Sequence, residues 1–193
     1  MNCASARAFF IFFSHLFAYS KIFLYLCSRK GLETRCNIRI CILLQVLMAP
    51  ETVAMQAGRI MLQRIDELLP QKVDFAIETT LATRSYVQLV HRAQALGYKI
   101  HLIFFALENE EQAIQRVAQR VSNGGHDIPE SDIRRRFQRG IYNLIHLYMP
   151  ICDNALVYNN AHGDAILVAK LGSSTGDIQV YEQEMWNQLM LRI

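Results

Sequence analysis

The sequence predicts an α/β fold: a parallel sheet flanked by helices, with a hairpin towards the C-terminal side. Three observations carry that prediction. Between residues 73 and 107 a strand, a helix and a second strand follow one another, the spacing of a βαβ unit. The second of those strands, KIHLIFFAL (residues 99–107), is almost continuously apolar, so both of its faces must be buried, as in a parallel sheet. Helix-period segments alternate with the apolar strands, which covers the sheet on both sides. With 193 residues, 52% of them apolar and 19% charged, the chain is sized for one domain with a substantial core and is not of disordered composition. Its net charge of +3 is too small to argue for a nucleic-acid partner.

Residues 1–47 stand apart. Up to residue 48 there are six basic side chains (Arg7, Lys21, Arg29, Lys30, Arg35, Arg39) against Glu33, a balance of +5. The remaining fourteen basic and sixteen acidic side chains give −2. Cys3, Cys27, Cys36 and Cys41 lie in this first part and only Cys152 lies beyond it; no C-x-x-C pair suggests a metal site, and no metal ligand is assigned. The run AFFIFFSHLFAYSKIFLYLC (residues 8–27) has the length of a membrane span. Lys21, His15 and two serines interrupt it, however, and a charge near mid-span costs about 2.5–3.5 kcal/mol. No small-residue cleavage site follows. The segment is expected to be foreign to the domain that begins at residue 48 and extends to 193, not a membrane anchor, and the protein to be cytoplasmic.

From residue 48 the pattern is regular. PETVAMQAGRIMLQRIDELLP (residues 50–70) opens on Pro50, suited to a first helical turn. It sets Val53, Ala57, Ile60, Met61, Ile65 and Leu68 at helical spacing until Pro70 stops it. A strand over residues 73–77 ends in Glu78, Thr79 and Thr80. Residues 85–96 read as a second helix, ended by Gly97, and residues 99–107 as the long strand. A third helix over 110–122 carries Ala113, Ile114, Val117, Ala118 and Val121 on one face; Gly124 and Gly125 then break the chain like a hinge. A fourth helix spans 130–148. ALVYNN (155–160) and AILVAKL (165–171) form the hairpin across HGD, and IQVYEQEMWNQLML (178–191) reads as a closing amphipathic helix.

Polar chemistry gathers in two places. The first is the strand tip of Glu78, Thr79 and Thr80. In open α/β sheets ligands bind outside the carboxyl ends of the strands, where Glu78 could accept hydrogen bonds from a substrate and Thr80 could donate one. Alternatively, Thr79, Thr80 or Thr83 caps the helix that begins near Arg84. The second place surrounds the two glycines. On the fourth helix Arg134 and Arg136 flank the apolar stripe of Ile133, Phe137, Ile141, Leu144 and Tyr148, and Arg120 closes the third helix. Arginine forks match phosphate oxygens in bidentate geometry, so these three are the candidate phosphate contacts. A solvated helix face is the other reading, and the expected one for Arg135 and Arg139. His126 reads as a structural loop residue.

In combination, APETVAMQAGRIML, DFAIETTLATRSY, ALGYKIHLIFFAL, RVSNGGHDIPESDIRRRF and NLIHLY, in this order over about residues 48–170, resemble the zeta-toxin-type branch of P-loop kinases. The resemblance implies a Rossmann-like α/β core. It also implies transfer of the γ-phosphoryl of ATP, with Mg²⁺, to a small acceptor, which is UDP-N-acetylglucosamine for the characterised zeta toxins. An antitoxin protein is the implied partner. By position, Glu78 and Thr80, with Thr79 between them, match the acceptor-binding segment. Arg120 and Arg134 or Arg136 match the lid arginines that contact ATP phosphates in catalysis, with Arg120 and Arg136 as the ATP-binding pair.

The first half of such a kinase is not matched. The family begins with a strand, a G-x-x-x-x-G-K-[ST] loop whose backbone cradles the phosphates, and a helix. An Asp in an N-A-D-like motif then activates the acceptor. Here Gly31 is the only glycine before Gly58, no Asp precedes Asp66, and CNIRICILLQ stands where N-A-D would fall. The expected fold is thus an incomplete P-loop kinase core, for which Met48 could be an internal start. Loss of one transition-state donor already costs about 10²–10³ in rate, so loss of the cradle is expected to abolish activity. A sheet without its central strand would expose an apolar edge, and IRICILLQVL (residues 38–47) is a candidate to fill it. The alternative function is a non-enzymatic binding or interaction protein, membrane-tethered through residues 8–27. A nucleic-acid binder lacks exposed aromatics beside its arginines.

Overall fold

The computed structural model describes the backbone of residues 22–27, 40–42 and 51–57 and, in full, residues 58–124, 127–172 and 177–193. Residues 8–21 of the apolar run, Gly125 of the hinge and His126 lie outside the described residues. The strands are β1 (Ile22–Cys27), β2 (Ile40–Ile42), β3 (Phe75–Thr79), β4 (Lys99–Ala106), β5 (Asn154–Asn159), β6 (Ile166–Leu171) and β7 (Ile178–Val180). The helices are α1 (Glu51–Leu68), α2 (Tyr86–Ala95), α3 (Glu110–Ser122), α4 (Glu130–Asn143) and α5 (Gln183–Met190). The expected α/β class holds.

One sheet runs in the order β2-β3-β1-β4-β5-β6-β7. β2 is parallel to β3 and β4 to β5, while β1 lies antiparallel to both β3 and β4, so those two neighbours point the same way. The sheet is therefore mixed, with a parallel set into which β1 is inserted backwards. Leu24 pairs with Ile77 on one side and Leu102 on the other. The centre is thus filled by residues 22–27 of the apolar run, while the candidate segment 38–47 does supply a strand, Ile40–Ile42, but at the outer edge of β3 and not in the centre. The same pairing excludes residues 22–27 from a membrane helix. Among the described residues no helix is long and apolar enough to cross a membrane.

The core follows from the periodicities. Phe75 and Ile77 of β3 and Ile100, Leu102 and Phe104 of β4 are buried, packed with Val90 of α2 and Ile65 and Leu68 of α1. Ile60, expected on the buried stripe of α1, is 68% exposed. Pro70 ends α1 in a tight turn over Leu69–Gln71, with Lys72 in the left-handed region at φ 53°. α2 stops as Gly97 predicts: Gly97 adopts φ 88°, Tyr98 N–H reaches the Ala93 carbonyl at 3.0 Å and Gly97 N–H reaches that of Gln94 at 2.9 Å, a Schellman closure. The expected hairpin forms, with Ala155 opposite Leu171 across β5 and β6.

Three boundaries differ from expectation. β3 runs two residues further, so that Glu78 and Thr79 are strand residues. The helix over 130–148 is α-helical to Asn143 and then widens to π geometry over Leu144–Tyr148. Residues 178–180 form a last strand against β6, and the closing helix is only Gln183–Met190.

Candidate active site

The segment after β3 is shaped by one strained residue. Leu81 is fully buried with φ 56°, a conformation that side-chain-bearing residues avoid at a cost of about 1–2 kcal/mol. Four contacts hold it and its neighbours. Thr79 Oγ1 accepts from the Leu81 N–H at 3.1 Å. Asn143 of α4, 3% exposed, donates from Nδ2 to the Leu81 carbonyl at 2.7 Å. Gly140 lies so close that a Cβ there would stand 2.9 Å from the Thr80 carbonyl oxygen. Tyr148 Oη donates to the Thr83 carbonyl at 2.6 Å, and burial pushes its phenol far above the ordinary tyrosine range. Thr83 in turn accepts from the Ser85 N–H at 3.2 Å, a local turn at the entry to α2.

The start of α3 is fixed separately. Asn109 Oδ1 accepts from the Gln112 N–H at 2.8 Å, and Gln112 Oε1 accepts from the Glu108 N–H at 3.0 Å. Arg134 of α4 spans three carboxylates, at 2.9 Å from Glu110, 2.8 Å from Glu111 and 2.7 Å from Glu130. The Arg134 hydrogen bond holds Glu111 below the ordinary carboxylate range, and these carboxylates together raise the Arg134 guanidinium. Gln138 adds a bond to Glu110 at 2.7 Å. Arg134 therefore braces α3 against α4.

Between these two anchored segments lies a cleft of about 1020 Å³, at the upper end of ligand-pocket sizes. One wall is Thr80, Ala82, Thr83 and Arg84 after β3; another is Asn109, Glu110 and Glu111 after β4; α4 contributes Arg135, Arg136, Arg139 and Tyr142. It thus opens beyond the carboxyl ends of two parallel strands, where an α/β sheet binds ligands. The two glutamates are engaged by Arg134 and Gln138, and Arg135 pairs with Asp132, holding that carboxyl below its usual range. Among the described residues no carboxylate pairs with Arg84, Arg136 or Arg139. The wall is cationic, with planar donors suited to phosphate.

Of the residues singled out in the sequence, Thr80 and Arg136 meet in this cleft. Glu78, Thr79, Arg120 and Arg134 do not line it. Glu78 Oε2 and the Nε and Nη1 of Arg120 are shielded from solvent, and the Thr79 hydroxyl is turned to its own loop. Arg135 and Arg139, expected on a solvated face, both line the cleft. Their spacing with Tyr142, four and three residues apart, is a helical stripe that sequence reasoning could have marked. Gly140 and Asn143 carried no such signal, because their partners are backbone atoms about sixty residues away in the chain.

A family model described as Zeta toxin matches residues 43–161, which is more than half of the chain and spans α1 to β5. The chain belongs to the zeta toxin family. A protein of Haemophilus influenzae (strain ATCC 51907 / DSM 11121 / KW20 / Rd), described as uncharacterized, is 28% identical over 88 residues, 46% of this chain and 63% of that relative. The chain thus spans less than two thirds of the length of that relative. No solved structure matches. Zeta toxins form a P-loop, kinase-like, nucleotide-binding family, and the α/β architecture agrees with that fold. The donor set of the cleft fits phosphate oxygens. Among the described residues no group of three or more His, Cys, Asp or Glu side chains is placed to hold a metal ion.

Proposed function

We propose that the cleft binds a phosphorylated small molecule of nucleotide size, and that this 193-residue chain does not by itself transfer the γ-phosphoryl of ATP. One observation carries the binding half: Thr80, at the carboxyl end of β3, shares a cleft with Arg136 and Arg139, two guanidiniums that among the described residues are in ion-pair contact with no carboxylate. Arg136 and Arg139 then grip phosphate oxygens, and the Thr80 hydroxyl meets a hydroxyl or amide of the ligand. The acceptor class of the family, a sugar nucleotide such as UDP-N-acetylglucosamine, offers both kinds of group. Glu78 and Arg120 occupy family motif positions but line no wall of the cleft; binding is assigned here to Thr80, Arg136 and Arg139. Arg134 acts as a brace.

The catalytic half rests on the sequence. Phosphoryl transfer is positioning and charge stabilisation, and these 193 residues hold no G-x-x-x-x-G-K-[ST] cradle. A cytoplasmic location and an antitoxin-type partner accompany this reading by family context. Calorimetric titration of the purified chain with UDP-N-acetylglucosamine tests the first half. Saturable binding, weakened about 10- to 100-fold in an R136Q/R139Q variant, is expected from the loss of charged hydrogen bonds. Absence of binding overturns it. Incubation with ATP, Mg²⁺ and the same sugar nucleotide tests the second half, and multiple turnovers would overturn that.

A further inference from the structure

Arg192 lies beyond α5 and outside the family-matched residues 43–161, yet it lines the cleft. Its guanidinium bridges two walls. Nη2 donates to the Glu108 carbonyl, immediately before the start of α3. The carbon centre of the group stands 5.7 Å from the centroid of the Phe137 ring on α4, within cation–π range. These two contacts fix the plane of the guanidinium, so little freedom is lost when an anion binds beside it.

We infer that Arg192 is a phosphate contact of the cleft, contributed by a segment that the family match does not include. This rests on the reading of the cleft as a site for phosphorylated ligands. The charge of Arg192 adds to those of Arg136 and Arg139 along the lining that the anionic part of the ligand meets. The outer wall of the site is then made by chain that lies past the β5–β6 hairpin. The burial of Met185, Trp186 and Leu189 in the core tethers that segment.

The test is titration of the full chain and its R192Q, R192K and R136Q/R139Q variants with UDP-N-acetylglucosamine, each with a thermal melt. Arg64→Gln, at an exposed ion pair with Glu67, is the charge control. R192Q is expected to bind about tenfold or more weakly with its melting temperature near wild type, and R192K to lie between, because an ammonium keeps the charge but not the fork. If R192Q binds like wild type while R136Q/R139Q is impaired, the inference fails and the cleft reading stands. If the wild-type chain does not bind, both fail. Should R192Q not fold, R192K decides: wild-type affinity overturns the contact, and weakened affinity supports it.

Discussion

Leu81 holds a backbone conformation that its own side chain opposes, and the side chain of Asn143 is what makes the arrangement tenable. Asn143 is buried and spends its amide on the Leu81 carbonyl. Removing it leaves that carbonyl shielded from water without a partner. Asn143→Ala is expected to lower stability by about 1–3 kcal/mol in urea denaturation. An unchanged midpoint would mean that the tip does not depend on α4. The same residues mark how far the sequence could be read. Thr80 and Arg136 were legible because a strand end and the border of a helical stripe are local patterns. Arg192, Gly140 and Asn143 were not, because each acts on a backbone atom distant in the chain and nothing in the spacing points there.

At the scale of elements, β4 and β5 carry a pH-sensitive contact. His101 lies beside the Asn154 amide at 3.0 Å, and burial lowers its pKa below the ordinary 6.5, against the opposing pull of Asp153. Above about pH 6.5 the imidazole is neutral in both the folded and the unfolded chain. As the pH falls, the unfolded chain takes up the proton first, so stability drops as the pH passes down through the folded pKa. His101→Gln is expected to flatten the stability profile below about pH 6.5 in chemical denaturation. A slope equal to that of wild type would remove His101 from the account. The strands β3 to β6 and the helices were legible as elements from period and composition, whereas β1 was not marked as a strand and β7 was read as part of the closing helix. The ends of the legible elements were not. β3 continued through Glu78 and Thr79 because cross-strand pairing with Phe23 and Ile22 extends it, and the fourth helix widened after Asn143, where Leu144–Tyr148 takes π geometry.

At the scale of the whole molecule, the centre of the sheet is taken by residues 22–27, which composition set apart from the rest. Local composition gave no register, and only the presence of two unpaired strand edges, on β3 and β4, makes a short apolar segment the natural occupant. Proline has no N–H to donate and cannot sit in a doubly paired strand. Leu24→Pro is therefore expected to cost about 3 kcal/mol or more and to bring aggregation, visible by light scattering. A soluble variant melting like wild type would mean that β1 does not hold the sheet together.

The central claim is that the cationic cleft between the β3 tip and α4 takes phosphorylated ligands. Its most direct test is phenylglyoxal modification of arginines, mapped by peptide mass spectrometry with and without UDP-N-acetylglucosamine. The sugar nucleotide is expected to protect Arg136 and Arg139 while Arg64 reacts equally in both samples. Equal modification of Arg136 and Arg139 at a ligand concentration that saturates binding would contradict it.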